Sequence, residues 1–129
     1  MSTWDQPARP ESVAFFEKAI GGHSKVEGLL PTGEQAYAVV RASLPTLRVW
    51  VCDVYRVSAS DVAAILAEDP QIQAIVTMSN WNDVTVEAKE DGTARRVGVF
   101  TFKELMGALN YQDDEFFDYQ TPRRSRSLG

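Results

Sequence analysis
The most unusual placement in this sequence is Asp53. It stands within Arg48 to Val57 (RVWVCDVYRV), whose apolar residues fall on both faces, as in a central strand covered on each side. A carboxylate there is costly unless it is paired, hydrogen-bonded or bound to a metal. Arg48 and Arg56 bracket it, but strand neighbours alternate faces, so Arg56 points away from Asp53 while Tyr55 shares its side. Asp53 therefore reads as a metal ligand or as a structural carboxylate held by an arginine or a helix N-terminus. The structural role is the expected one.

Ligands of open α/β sheets gather beyond the carboxyl ends of parallel strands. The sequence predicts three such ends: Asp53 to Arg56, Ser79 to Asn82, and Thr101 to Lys103. Ser79, Asn80, Trp81 and Asn82 put hydrogen-bond donors and acceptors beside a stacking surface, a combination suited to a base, a nucleotide or a peptide. Tyr55, Arg56 and Lys103 would complete such a rim. A plainer reading has Asn80 and Asn82 forming turns and capping the next helix while Trp81 packs as a lid.

Other reactive groups read as structural. Cys52 is the single cysteine, so no internal disulfide is possible, and Cys52 with the single histidine, His23, cannot supply a four-ligand zinc site. Lying in an apolar run, Cys52 is expected to be a small buried hydrophobe. His23 follows Gly21-Gly22 in a loop. Glu87-Ala88-Lys89 matches E-x-K by letter but falls on a helix. A Gly-rich phosphate loop, a G-x-S-x-G elbow and a histidine-based triad are all absent from the sequence.

The elements that position these residues follow from periodicity. Pro10 opens a helix with Val13, Phe16 and Ile20 on one face, ended by Gly21-Gly22. Lys25–Leu30 and Gln35–Ala42 flank a Pro31-Thr32-Gly33 turn and form a hairpin, Pro45 breaks the chain, and Arg48–Val57 follows as a strand. Ser58 and Asp61 cap a helix that Pro70 stops. Ile72–Ser79 is a strand, Asn82 or Asp83 opens a helix to about Arg95 that Gly92 weakens, Val97–Phe102 is the last strand, and Thr101 with Glu104 caps the last helix. The predicted order is α-β-β-β-α-β-α-β-α: one α/β domain over residues 1–109, with a mixed sheet, helices on both faces and a loose arm at 1–9. Residues 110–129 read as a polar, disordered tail, either a short partner-binding motif or a solvated segment with Phe116 or Phe117 folding back.

Composition narrows the function classes. The formal net charge is −5, and residues 1–109 alone carry ten basic and fourteen acidic residues. Phosphate neutralisation drives nucleic-acid affinity, so this balance speaks against a dedicated DNA binder. Another protein or a second copy of the chain is the expected partner. No apolar run approaches the ~20 residues needed to span a bilayer, and a reducing cytoplasm is the expected setting.

Ala74-Ile75-Val76-Thr77-Met78-Ser79, then Trp81, Glu87-Ala88, Val97-Gly98-Val99-Phe100 and Glu104-Leu105 resemble the second half of Mrr-type restriction-endonuclease domains, of the PD-(D/E)xK superfamily. The resemblance covers roughly residues 48–109, and the predicted element order is similar to that family's core. It implies a restriction-endonuclease-like fold and DNA cleavage with Mg²⁺ or Mn²⁺, held by an acid on the second meander strand and an Asp/Glu-x-Lys on the third. Carried onto this chain, Asp53 matches the third-strand acid, while Tyr55 stands where the lysine is expected. Residues 35–42 contain no acid, leaving Glu34 at the turn and Glu27 on the first strand as the nearest substitutes. The pattern implies a degenerate site. Three readings stay open: a binding or assembly module that has lost catalysis, for which the resemblance implies a DNA-related or defence context; an active nuclease using Asp53 with Glu27 or Glu34 and a migrated Arg41 or Arg48; and a Rossmann-like interaction domain.

Overall fold
The computed structural model describes residues 4–79 and 83–119. Pro10 begins α1 (Pro10–Gly21), where its missing N–H costs nothing, and Phe16 and Ile20 form the buried stripe. An antiparallel meander follows: β1 (Val26–Pro31), β2 (Ala36–Arg41) and β3 (Leu44–Cys52). The chain continues through β4 (Arg56–Val57), α2 (Ala59–Glu68), β5 (Ala74–Thr77), β6 (Asp83–Val84), α3 (Val86–Ala94), β7 (Gly98–Thr101), α4 (Phe102–Ala108) and α5 (Asp113–Phe117). Five strands form one mixed sheet in the order β1-β2-β3-β5-β7, with β3, β5 and β7 parallel.

Helices cover both faces. Leu47, Val49 and Val51 of β3 point to α1, α4 and α5, meeting Phe16, Ile20, Leu105 and Phe116. Trp50 and Cys52 point the other way, to Val62 and Ile65 of α2 and Ala88 of α3. Alternation along one buried strand thus serves two cores. Reciprocal capping boxes set two helix starts: Ser58 with Asp61 on α2, and Thr101 with Glu104 on α4.

Several boundaries differ from the sequence expectations. Pro45 lies inside β3, not at a break, because it falls at the register shift between the Val39–Leu47 and Arg41–Leu44 pairs, where a lost ladder donor is tolerated. Strand β3 ends at Cys52, so Asp53 stands just past it. Arg56 and Val57 turn aside to pair with Asp83 and Val84 in a separate two-stranded sheet. Helix α3 starts later than the sequence suggests, with Thr85 as its N-cap, whose Oγ1 accepts the Ala88 N–H.

The domain also continues past residue 109. Phe116 is 1 % exposed and meets Phe100 edge-on at 5.3 Å. Arg41, itself buried, donates from Nη1 to the carbonyls of Leu109 (3.0 Å) and Tyr111 (2.6 Å), capping the end of α4. Residues 113–117 are therefore packed helix, in line with the alternative in which Phe116 folds back.

Candidate functional site
The parallel strands end in one row, Cys52 beside Thr77 and Thr77 beside Thr101. Asp53, Ser79 and Lys103 all follow this row at the carboxyl edge of the sheet. Thr77 Oγ1 donates to the Val54 carbonyl and ties the segment after β3 across β5. Tyr55 is 62 % exposed, Arg56 and Lys103 are exposed, and Ser79 is half-buried. Asn80, Trp81 and Asn82 lie outside the described residues.

Asp53 is held by the start of α1. Its Oδ2 accepts the Arg9 backbone N–H at 2.7 Å and the Arg9 Nε–H at 3.3 Å. Arg9 is the N-cap residue of α1, so the carboxylate meets both a guanidinium and the positive end of a helix. Asp53 Oδ1 is buried and has no hydrogen-bond partner among the described residues. The expected structural pairing is present, and Arg9 rather than Arg48 supplies it. Arg48 donates from Nε (2.9 Å) and Nη2 (2.7 Å) to Asp69, and Arg41 is spent on carbonyls.

The two substitute acids do not join Asp53. Glu27 lies on edge strand β1, between Val26 and Gly28, which pair with the far end of β2 at Arg41 and Val40. Asp53 follows the opposite end, where Trp50 pairs with Ala36. Five residues of extended chain, about 17 Å at 3.3–3.4 Å each, separate those two ends of β2. Glu34 instead lines a cavity of about 380 Å³ with Trp50, Glu68 and Asp69, on the face that α2 covers. Among the described residues no three His, Cys, Asp or Glu side chains converge as a metal site. These residues do not fit the two-acid-and-lysine metal centre that the resemblance implies.

The other reactive groups are engaged structurally. Lys89 donates to Glu104 at 3.1 Å and to the Val99 carbonyl at 2.8 Å, while Glu87 faces solvent, so the E-x-K letters split between core and surface. His23 accepts the Lys25 N–H at Nδ1 (3.0 Å), and its Nε2–H is left to donate to the Met106 carbonyl at 2.8 Å. Cys52 is fully buried, and desolvation pushes its thiol up to about 12. Sequence reasoning missed Arg9 as the partner of Asp53, since 44 residues separate them and neither carries a local signal for the other. It also missed the cavity, whose Trp4 wall comes from the N-terminal arm. In comparisons with family models, curated proteins and solved structures, nothing matches this chain.

Proposed function
We propose that this chain is a restriction-endonuclease-like domain that works as a binding or assembly module, not as a metal-dependent nuclease. The observation that carries the reading is the state of Asp53. It follows the strand where the endonuclease pattern expects an acid, yet it is tied to Arg9, Tyr55 stands where the lysine is expected, Glu27 lies toward the opposite end of the sheet, and among the described residues no three His, Cys, Asp or Glu side chains converge as a metal site. Metal-assisted hydrolysis of a phosphodiester needs a charge-neutralising ion and an activated water, and one carboxylate is a poor cradle for both. Strand order supports the fold half of the proposal: the antiparallel hairpin lies directly beside β3, and parallel β5 lies on its other side. The net charge of −5 favours a protein partner, or a second copy, over a phosphate backbone.

The test is a cleavage assay on labelled single- and double-stranded DNA with Mg²⁺ or Mn²⁺, comparing wild type with Asp53→Ala. Folded wild type is expected to leave both substrates intact. Metal-dependent cleavage that disappears in Asp53→Ala would overturn the proposal and make Asp53 a catalytic ligand.

A further inference from the structure
We propose that edge strand β1 pairs with β1 of a second copy of this chain, antiparallel, with Leu29 opposite Leu29 across a two-fold axis. The inference rests on the module reading in that it names that module's partner. Its evidence is separate, because it uses neither Asp53 nor the carboxyl edge of the sheet.

The main chain of β1 sets the register. Among the described residues β2 is its one neighbour, so its other side is open. Thr32 N–H donates to the Ala36 carbonyl at 2.8 Å, and the pairing runs on through Pro31–Tyr37, Leu30–Ala38 and Leu29–Val39. Bonded and unbonded pairs alternate in an antiparallel ladder. Leu30 therefore bonds to β2, whereas Leu29 and Pro31 turn their main-chain groups outward. Pro31 has no N–H to offer there, and the register shifts between Val26 and Gly28. Between these two interruptions, Leu29 is the residue that presents both a donor and an acceptor to an added strand. A two-fold axis at Leu29 uses both groups in each copy, each N–H donating to the other carbonyl.

The side chains fit the same axis. Leu30 is a large apolar residue left 59 % exposed on the edge strand. In this register it stands opposite Gly28 of the second copy, on the same face of the sheet. Gly28 has no side chain, and the space over it is open: a Cβ there would meet Val40 alone, at 3.7 Å. An exposed leucine thus faces an empty seat, and symmetry repeats the match. Charge agrees. Lys25 lies four residues before Leu29 and Glu34 five after it; both are exposed, and neither is ion-paired among the described residues. The axis carries each Lys25 to the end of the strand pair where the other copy's Glu34 stands. A strand from an unrelated protein would find the Leu29 groups but not these paired complements, which favour a second copy.

The experiment is sedimentation velocity with residue-resolved amide exchange on the full chain, from about 10 μM to 1 mM, the range suited to a short interface. The chain is expected to pass from monomer to dimer. The Leu29 amide should exchange more slowly as concentration rises, while the Leu30 amide, already bonded to β2, keeps its rate. Leu30→Lys and Gly28→Val should each raise the dimer Kd about tenfold or more, the loss expected when a leucine is no longer buried. Gly28→Val suits the strand and meets open space, so its urea stability should hold or rise while the dimer is lost. Lys25→Glu should weaken the dimer, and adding Glu34→Lys should restore it, a rescue that damage to the fold would not produce. A monomer throughout the range, or a dimer indifferent to Gly28→Val and Leu30→Lys, would overturn the proposal. A monomer that leaves DNA uncut sinks the dimer and keeps the module reading, whereas metal-dependent cleavage sinks that reading and leaves the dimer standing.

Discussion

Replacing Gly92 by alanine sets two effects of opposite sign against each other. Gly92 lies inside α3, where intrinsic helix propensity favours alanine by about 1 kcal/mol. A Cβ there would stand 2.6 Å from the Val97 carbonyl oxygen and 2.6 Å from Val99 Cγ2. Neither obstacle yields easily: one is backbone, and the other belongs to a side chain only 1 % exposed. Relief requires α3 to back away from β7. That motion strains the Val97 N–H to Gly92 carbonyl bond (2.7 Å) and the Lys89 bond to the Val99 carbonyl (2.8 Å). Overpacking costs about 1–3 kcal/mol, and two contacts at 2.6 Å that cannot both yield put this case in the upper part, about 2–3 kcal/mol, so the net effect is a loss of about 1–2 kcal/mol once the propensity gain is subtracted. In a domain of this size the loss lowers Tm by about 3–10 °C. Thermal and urea unfolding, with the m-value required to stay constant, measure it. Gly21→Ala is the matched control: it closes α1, and its Cβ meets nothing within 4 Å. Stability there should hold or rise by up to about 1 kcal/mol. A Gly92→Ala protein as stable as wild type would refute the close packing of α3 on β7.

Truncating Phe116 tests the extent of the domain. Its ring is buried against Phe100 and under the Arg41 guanidinium at 5.7 Å, so Phe116→Ala should cost about 3–5 kcal/mol in urea unfolding, whereas a solvated tail would make it silent. The Cys52 thiol should resist a disulfide reagent at pH 8 in the folded protein and react at once in denaturant, since burial suppresses its thiolate; rapid reaction in the native state would contradict its placement. Burial raises the Cys52 thiol from 9.0, and burial with the Glu17 hydrogen bond raises the Tyr37 hydroxyl from 10.0, each to about 12. The folded state then holds more protons than the unfolded chain, so stability is intact below about pH 9 and falls as pH rises from about 9 to 12. Urea midpoints across that range should fall in wild type and fall less in the Cys52→Ala, Tyr37→Phe double variant; equal slopes would reject the cause.

What the sequence determined by itself are the features whose causes lie within a few residues. The two capping boxes pair residues three apart, and the stripe of Phe16 and Ile20 is one turn apart, so each could be read before any tertiary contact was known. The mixed sheet was legible too, because two strands joined by a tight turn must run antiparallel and strands joined by a helix can run parallel. Only the tertiary structure decided where strands stop and whom the polar groups meet. Strand β3 ends at Cys52 where its neighbour β5 ends at Thr77, and the Thr77 hydroxyl then holds the Val54 carbonyl, so a run that reads as continuous strand to Val57 is cut short. Asp53 takes Arg9, Arg41 takes the end of α4, and Trp50 faces Trp4, across 44, 68 and 46 positions of sequence. A buried charge must find a partner, but nothing local says which one. That choice belongs to the packing of the whole chain, and with it goes the difference between a metal ligand and a helix anchor at Asp53.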